Sequence, residues 1–353
     1  MATIDSKLLA QGVKDLVKTL QPRNRDIISR RFGLKTGSSE TLESIGSGYD
    51  ITRERVRQIE AFSLAHLTRS VPNISIISRT IDSAKSALSQ EGGVLSEKDL
   101  FAKMIGSNIR PPIHASLGFV LGLDKDIVHV SENNQFHPLW ALDKKSLDAL
   151  TGQVNSIISA LSDRGTAISE DEIATLASSK NIRSLRGDAF RANDFIALTN
   201  IAKEIGANQF GQLGLAKWGQ ISPRGIKDKA YLVVKQSGEP QHFTSIAKLI
   251  YSARLDNKNV NVQTVHNELI KDSRFVLVGR GLYGLTEWGY KAGTVKDVLK
   301  DILREKGNPI PRADLISLVK DRRMVKDNTI LLNLQDSGTF IRTADGSYQL
   351  RKR

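Results

Sequence analysis

The stretch YDITRERVRQIE, from Tyr49 to Glu60, carries three arginines and two glutamates. Turned at 100° per residue, a helix beginning near Thr52 sends Val56, Ile59, Ser63 and Leu67 to one side. It sends Arg53, Glu54, Arg57 and Gln58 to the other. Each of those four has the chemistry of a base edge: arginine is bidentate to guanine, glutamate accepts from cytosine, glutamine is bidentate to adenine. Arg55 falls toward the flank, where a phosphate suits it better. The plainer alternative is a solvated helix laced by Glu–Arg pairs.

The residues before it decide between the two. TLESIG can form a short helix capped by Thr41 or Ser39, with Leu42 and Ile45 turned inward. Gly46 and Gly48 break that helix, and Asp50 or Thr52 caps the next. A short helix, a tight turn and a longer helix make a helix-turn-helix, whose second helix enters the major groove through its first turns. The composition agrees: 353 residues with a formal charge of +13 favour a polyanion partner. Only 6% of residues are aromatic, few for stacking single-stranded bases, so duplex DNA is the expected ligand.

The chain has no cysteine, which excludes disulfides, thiol catalysis and thiolate zinc sites. No apolar run reaches the length of a membrane span. The first residues, MATIDSKLLAQGVKDL, are an amphipathic helix rather than a signal peptide. A cytoplasmic, nucleoid-associated protein without a membrane partner is expected.

LQPRNRDIISRRFGL followed by TLESIGSGYDITRERVRQIEAFSLAHL, Leu20 to Leu67, closely resembles the C-terminal promoter-reading region of primary bacterial sigma factors. The resemblance implies that the second helix docks in the major groove of a minus-35 element. The family's contact positions fall on Thr52, Arg53, Glu54, Arg57 and Gln58. It also implies docking of the preceding helices on the flap of the RNA polymerase β subunit, through Ile27, Ile28, Phe32 and Leu34. Two departures stand out. The loop KTGSSE at Lys35 looks small and flexible. In sigma factors this region closes the chain, whereas here it opens it. Three Trp and six Tyr are scattered downstream with no aromatic-rich promoter-opening segment, so a complete sigma factor is not expected.

Four later segments repeat at about 70 residues: SQEGGVLSEKDLFAKM from Ser89, SDRGTAISEDEIATLA from Ser162, KQSGEPQHFTSIAKLI from Lys235 and REKGNPIPRADLISLV from Arg304. Gly93, Gly165, Gly238 and Gly307 are the matching helix stops. Downstream, FGQLGLAKWGQ from Phe210 pairs with GRGLYGLTEWGY from Gly279, aligning Trp218 with Trp288. Each unit reads as helix, short strand, two helices and a hairpin, a winged helix. The expected fold is mainly α with small β-hairpin wings: an N-terminal helix-turn-helix over residues 1–72, then tandem winged-helix domains at 73–142, 143–220, 221–290 and 291–353. The third unit resembles the HARE type of winged helix, the class that includes the N-terminal domain of the RNA polymerase δ subunit. That resemblance implies DNA or polymerase binding and no catalysis. Lys271 and the wing-tip Arg280 are its candidate phosphate contacts, and Gln263, His266 and Asn267 line its third helix.

Gly279, Gly281 and Gly284 match a dinucleotide-binding spacing, but LTEWGY continues as strand rather than helix, so no helix N-terminus meets a pyrophosphate. The six histidines, His66, His114, His129, His137, His242 and His266, lack metal-ligand spacing. No cofactor, metal or catalytic residue is expected. The expected function is a bacterial or phage regulator of transcription that reads duplex DNA. The alternative is a polymerase-associated protein that holds the β flap with little DNA reading of its own.

Overall fold

The computed structural model describes residues 3–256, 260–290, 293–323 and 325–351. It is mainly helical, with small antiparallel sheets. None of its described helices is long and apolar enough to cross a membrane. The chain divides into two compact units, Met1–Ala207 with Gly211–Lys217, and Asn208–Phe210 with Trp218–Arg353.

The first unit opens with four helices: α1 (Ser6–Lys18), α2 (Pro22–Arg31), α3 (Leu42–Ser47) and α4 (Arg53–Ser70). Asp5 caps α1 by accepting from the Lys7 and Leu8 amides, and Pro22 stands in the first turn of α2, where its missing N–H costs nothing. These helices serve two cores. A small one, Ile27, Ile45 and Val56, holds the helix-turn-helix together. A larger one takes the apolar stripe of α1, Leu9, Val13, Leu16 and Val17, together with Ile28 and Leu67. The partners of that stripe lie beyond the head, in α5 (Ser75–Gln90) and α7 (Pro111–Leu121).

This shared core explains why RPPIHASLGFVLGL carries so little polarity. In α7, Ser116, Leu117, Phe119, Val120 and Leu121 are all buried, because the helix is covered by its own repeat on one side and by the head on the other. Phe119 meets Phe32 with ring centroids 4.9 Å apart. The KTGSSE loop is likewise held. A Cβ on Gly37 would come 2.3 Å from the Pro111 Cβ, and Glu40 takes a two-pronged bond from Arg30 at 2.9 and 2.7 Å. The flexible loop expected there is instead packed against the start of α7.

Each downstream segment repeats one topology. In the first, α5, β1 (Val94–Ser96), α6 (Glu97–Ile105) and α7 lead into β2 (Val128–Val130) and β3 (Leu139–Ala141), with strand order β1-β3-β2. In the second, α8 (Lys144–Arg164), β4 (Ile168–Ser169), α9 (Glu170–Ser179) and α10 (Ala192–Thr199) precede β5 (Ile205–Ala207) and β6 (Gln212–Leu215), ordered β4-β6-β5. The first two are joined in the first unit by backbone pairing of Phe136 with Ala202.

In the second unit, α11 (Ile226–Ser237), β7 (Gln241–His242), α12 (Phe243–Ser252), α13 (Val262–Lys271), β8 (Phe275–Gly279) and β9 (Leu282–Leu285) give order β7-β9-β8. The last repeat has α14 (Val295–Lys306), α15 (Arg312–Arg322) and α16 (Asp327–Leu334), then β10 (Phe340–Arg342) paired with β11 (Tyr348–Leu350). There the first strand shrinks to one bridge, Ile310 with Tyr348. Helix, strand or bridge, two helices and a hairpin thus recur four times, the element order expected of a winged helix. Gly165, Gly238 and Gly307 end α8, α11 and α14 with left-handed φ of 75°, 69° and 69°, the conformation a non-glycine side chain resists. After β9 the chain does not continue as strand. Thr286–Trp288 is a single 3-10 turn, so the glycine-rich segment forms a hairpin with no α-helix behind it.

Candidate nucleic-acid interface

Thr52 is the cap of α4: its hydroxyl accepts from the Arg55 amide at 3.2 Å. Such a cap satisfies one of the free N–H groups of the first turn, typically ~1 kcal/mol of helix stability. It leaves the hydroxyl committed to orienting the helix. The residue in the left-handed region is Asp50, φ 51°, not a glycine. Gly46 lies inside α3, and the turn passes so close that a Cβ there would stand 2.7 Å from the Ile51 carbonyl oxygen.

On α4 the two faces separate as the helical spacing requires. Val56, Ser63 and Leu67 are buried, and Ile59 packs against the small core. Thr52, Arg53, Glu54, Arg55, Arg57 and Gln58 are all exposed in the first two turns. They are already paired on the surface. Arg57 donates from Nε and Nη2 to the two Glu54 carboxylate oxygens at 2.8 and 2.7 Å. Arg55 donates to the Gln58 side-chain oxygen at 3.0 Å. The Arg57 hydrogen bonds hold the Glu54 carboxyl below its ordinary range, and Glu54 in turn raises Arg57. Arg53 has no ion-pair partner among the described residues. The patch therefore presents an exposed guanidinium paired with a carboxylate beside a guanidinium that has no ion-pair partner among the described residues.

A second layer fixes α4 against α2, and the sequence pattern did not reveal it. Arg31 pairs with Glu60 at 3.3 Å and donates to the Glu40 carbonyl at 3.1 Å. The Tyr49 hydroxyl donates to Asp26 at 2.8 Å, and the Arg23 and Arg30 guanidinium carbons lie 5.3 and 5.9 Å from the Tyr49 ring centroid. The Tyr49 bond is the main reason the Asp26 carboxyl sits below its usual range. Read in one dimension, these arginines look like scattered surface charge. In the fold they brace the turn that aims α4.

The four residues assigned by resemblance to the polymerase flap are spent mostly inside the chain. Ile27 is enclosed in the helix-turn-helix core and Ile28 in the shared core. Phe32 lies against Phe119, and Leu34 packs on the same shared core.

In the second unit, Lys271 ends α13, where its charge complements the helix dipole. Arg280 is exposed at the tip of the β8–β9 turn. The five-residue β8 separates them, about 16 Å of strand at ~3.3 Å per residue, so they form no joint phosphate site. His266 is packed between Phe243 and Tyr283, with centroids 4.5 and 5.9 Å away. Gln263 bonds Asn267 along the same helix at 3.2 Å. That helix also exposes Val262 and Ile270, an apolar outer face ill suited to a groove edge.

The histidines find a partner that linear spacing concealed. Glu97, at the start of α6, lies 3.2 Å from His129 Nε2 and 3.5 Å from His114 Nε2. It also accepts from Trp140 Nε1 at 3.0 Å. Burial pushes the Glu97 carboxyl up. The bonds from His129 and Trp140, with the charges of both histidines, more than offset that, and the net shift is downward. A carboxyl lowered in the native state contributes stability above the ordinary glutamate range, about 4.3, and loses it as pH falls through its depressed native value. The expected result is that Glu97→Gln flattens the acid limb of the pH–stability curve between pH 5 and 3, measured as Tm by circular dichroism. An unchanged acid limb would show that the Glu97 cluster does not set it.

The comparisons with known proteins fall on the segment that carries this exposed patch. Residues 16–69 match the family model for sigma-70, region 4. A 64-residue stretch is 44% identical to the RNA polymerase sigma factor SigA of Microcystis aeruginosa and to that of Synechocystis, covering 18% of this chain and 15% of each relative. The SigA of Nostoc is 42% identical over the same length, 16% of that protein. The chain thus spans only about a sixth of the length of the curated relatives it matches. Residues 16–69, comprising the end of α1 and all of α2, α3 and α4 up to Arg69, are similar to region 4 of the sigma-70 factors.

Proposed function

We propose that this chain is a sequence-specific duplex-DNA-binding regulator of transcription, reading a minus-35-like element through α4. The observation that carries the reading is the exposed Arg53, Glu54, Arg57 and Gln58 patch on a capped helix braced from behind. Arg55 contacts a phosphate at its flank. The winged-helix repeats contact RNA polymerase, flanking DNA or a protein partner; the likeness of the third to the HARE class of δ-type domains supports this, with Arg280 as an exposed cation at its wing tip. The protein performs no chemistry, uses no cofactor and works in the cytoplasm on the nucleoid. A flap-bound adaptor is the second reading, and it stands behind the first because Ile27, Ile28 and Phe32 are occupied within the chain's own cores.

The deciding experiment is genome-wide occupancy of the wild type and of an Arg53→Ala/Arg57→Ala double variant. Loss of discrete promoter-proximal peaks in the variant is expected. An unchanged peak set would remove α4 from site selection.

A further inference from the structure

A cleft of about 500 Å³ opens between α1, α2 and α7 in the first unit, inside the roughly 300–1,000 Å³ range of small-molecule sites. Its walls are of two kinds. Val17, Leu34 and Ile113 contribute apolar surface, while Lys14, Lys18, Arg25 and Lys35 contribute four cations, and no carboxylate lines it. Two of the cations have neighbours outside the cleft: Lys18 pairs with Asp15 and Lys35 with Asp26. Lys14 has no ion-pair partner among the described residues. Arg25 is pinned by donating from Nη2 to the Lys18 and Leu20 carbonyls, both at 3.1 Å, while its buried Nε finds no acceptor. Four cations beside an apolar wall, with no carboxylate among the lining residues, are an arrangement that an anion with a hydrocarbon body completes.

We infer that this cleft binds a small anionic amphiphile, one carboxylate or phosphate head on an aliphatic tail. A DNA backbone would use the cations and leave the apolar wall in water, whereas an amphiphile uses both. The cleft lies on α1, α2 and α7, away from the exposed residues of α4. It joins the head to the first repeat, so an occupant stiffens the seam between them.

Isothermal titration of the full chain tests this with dodecanoate and dodecyl phosphate, each below its micellar concentration. Dodecan-1-ol and orthophosphate serve as the tail-only and head-only probes. One-to-one saturable binding of at least one charged amphiphile is expected, its preferred head group distinguishing carboxylate from phosphate. Dodecan-1-ol, orthophosphate and the Lys14→Glu variant should each bind about tenfold or more weakly. Lys14 is exposed and unpaired, so that variant should keep its wild-type Tm and its affinity for duplex DNA. Arg25→Gln gives a second reading at the pinned cation. Absence of saturable binding, equal binding of the alcohol or of orthophosphate, or undiminished binding by Lys14→Glu overturns the inference. So would preference for a leucine-rich acidic peptide with no amphiphile binding, which would assign the cleft to a protein.

Discussion

Replacing Arg57 with alanine is expected to weaken binding to a minus-35-like duplex by ~1–3 kcal/mol and to relax the preference at one base pair. Both Nε and Nη2 of Arg57 are held by Glu54 in the free protein, so the guanidinium plane is already oriented when it reaches the groove. Removing it takes away a bidentate contact and releases the Glu54 carboxylate, now unpaired, next to the phosphates. Arg57→Lys keeps the charge and loses the fork, and should recover non-specific affinity without recovering base preference. Arg55→Ala should act differently, lowering affinity for all sequences alike and reducing the salt slope by about 1. Electrophoretic or fluorescence titration on matched and single-mismatch duplexes at two salt concentrations separates the three. The side chains are exposed, so folding should change by no more than ~0.5 kcal/mol. If Arg57→Ala matched the wild type on every duplex, α4 would not be the reading element.

The largest effect on stability is expected at Phe119. This residue is 3% exposed and lies in the core that α1 shares with α5 and α7, against Phe32. Truncation to alanine should cost ~3–5 kcal/mol, the transfer of a phenyl ring plus the cavity it leaves. Because one core serves both the head and the first repeat, the loss should not stay local. Amide exchange in α1, at Leu9 and Leu16, should accelerate together with exchange in α5, at Ile81 and Leu88. Exchange in α1 that held at wild-type rates while α5 opened would mean that the two have separate cores. For the same reason a fragment of residues 1–72 would leave the Leu9, Val13, Leu16 and Val17 stripe in water. It should melt well below a fragment extended to residue 142.

The two faces of α4 were legible in one dimension because helix periodicity is a strong local signal. Val56 and Leu67 are spaced for one face and Arg53, Glu54, Arg57 and Gln58 for the other, and the fold keeps that division. The glycine stops at Gly165, Gly238 and Gly307 were legible for a similar reason, since a left-handed cap is a local demand on one residue. The cap of α4 was only half determined. Asp50 and Thr52 have equal chemistry for the role, and the turn decided it by placing Asp50 at positive φ and Thr52 at the helix start.

What the sequence could not show is what lies across a gap of many residues. The polarity of α7 reads as a poor DNA helix; only its position between its own repeat and the head shows why. His114 and His129 are 15 positions apart and meet on Glu97 through three different elements. The KTGSSE loop reads as free until Pro111 and Arg30 are brought against it. The sequence alone determined the kind of helix this protein presents and the order of its elements, because those depend on neighbours within a few residues. The tertiary structure alone decided that the head and first repeat are one core, which arginines brace the turn and which stay on the exposed face of α4, and which apolar residues are covered. Those depend on burial, and burial is set by whichever distant segment arrives to cover a face.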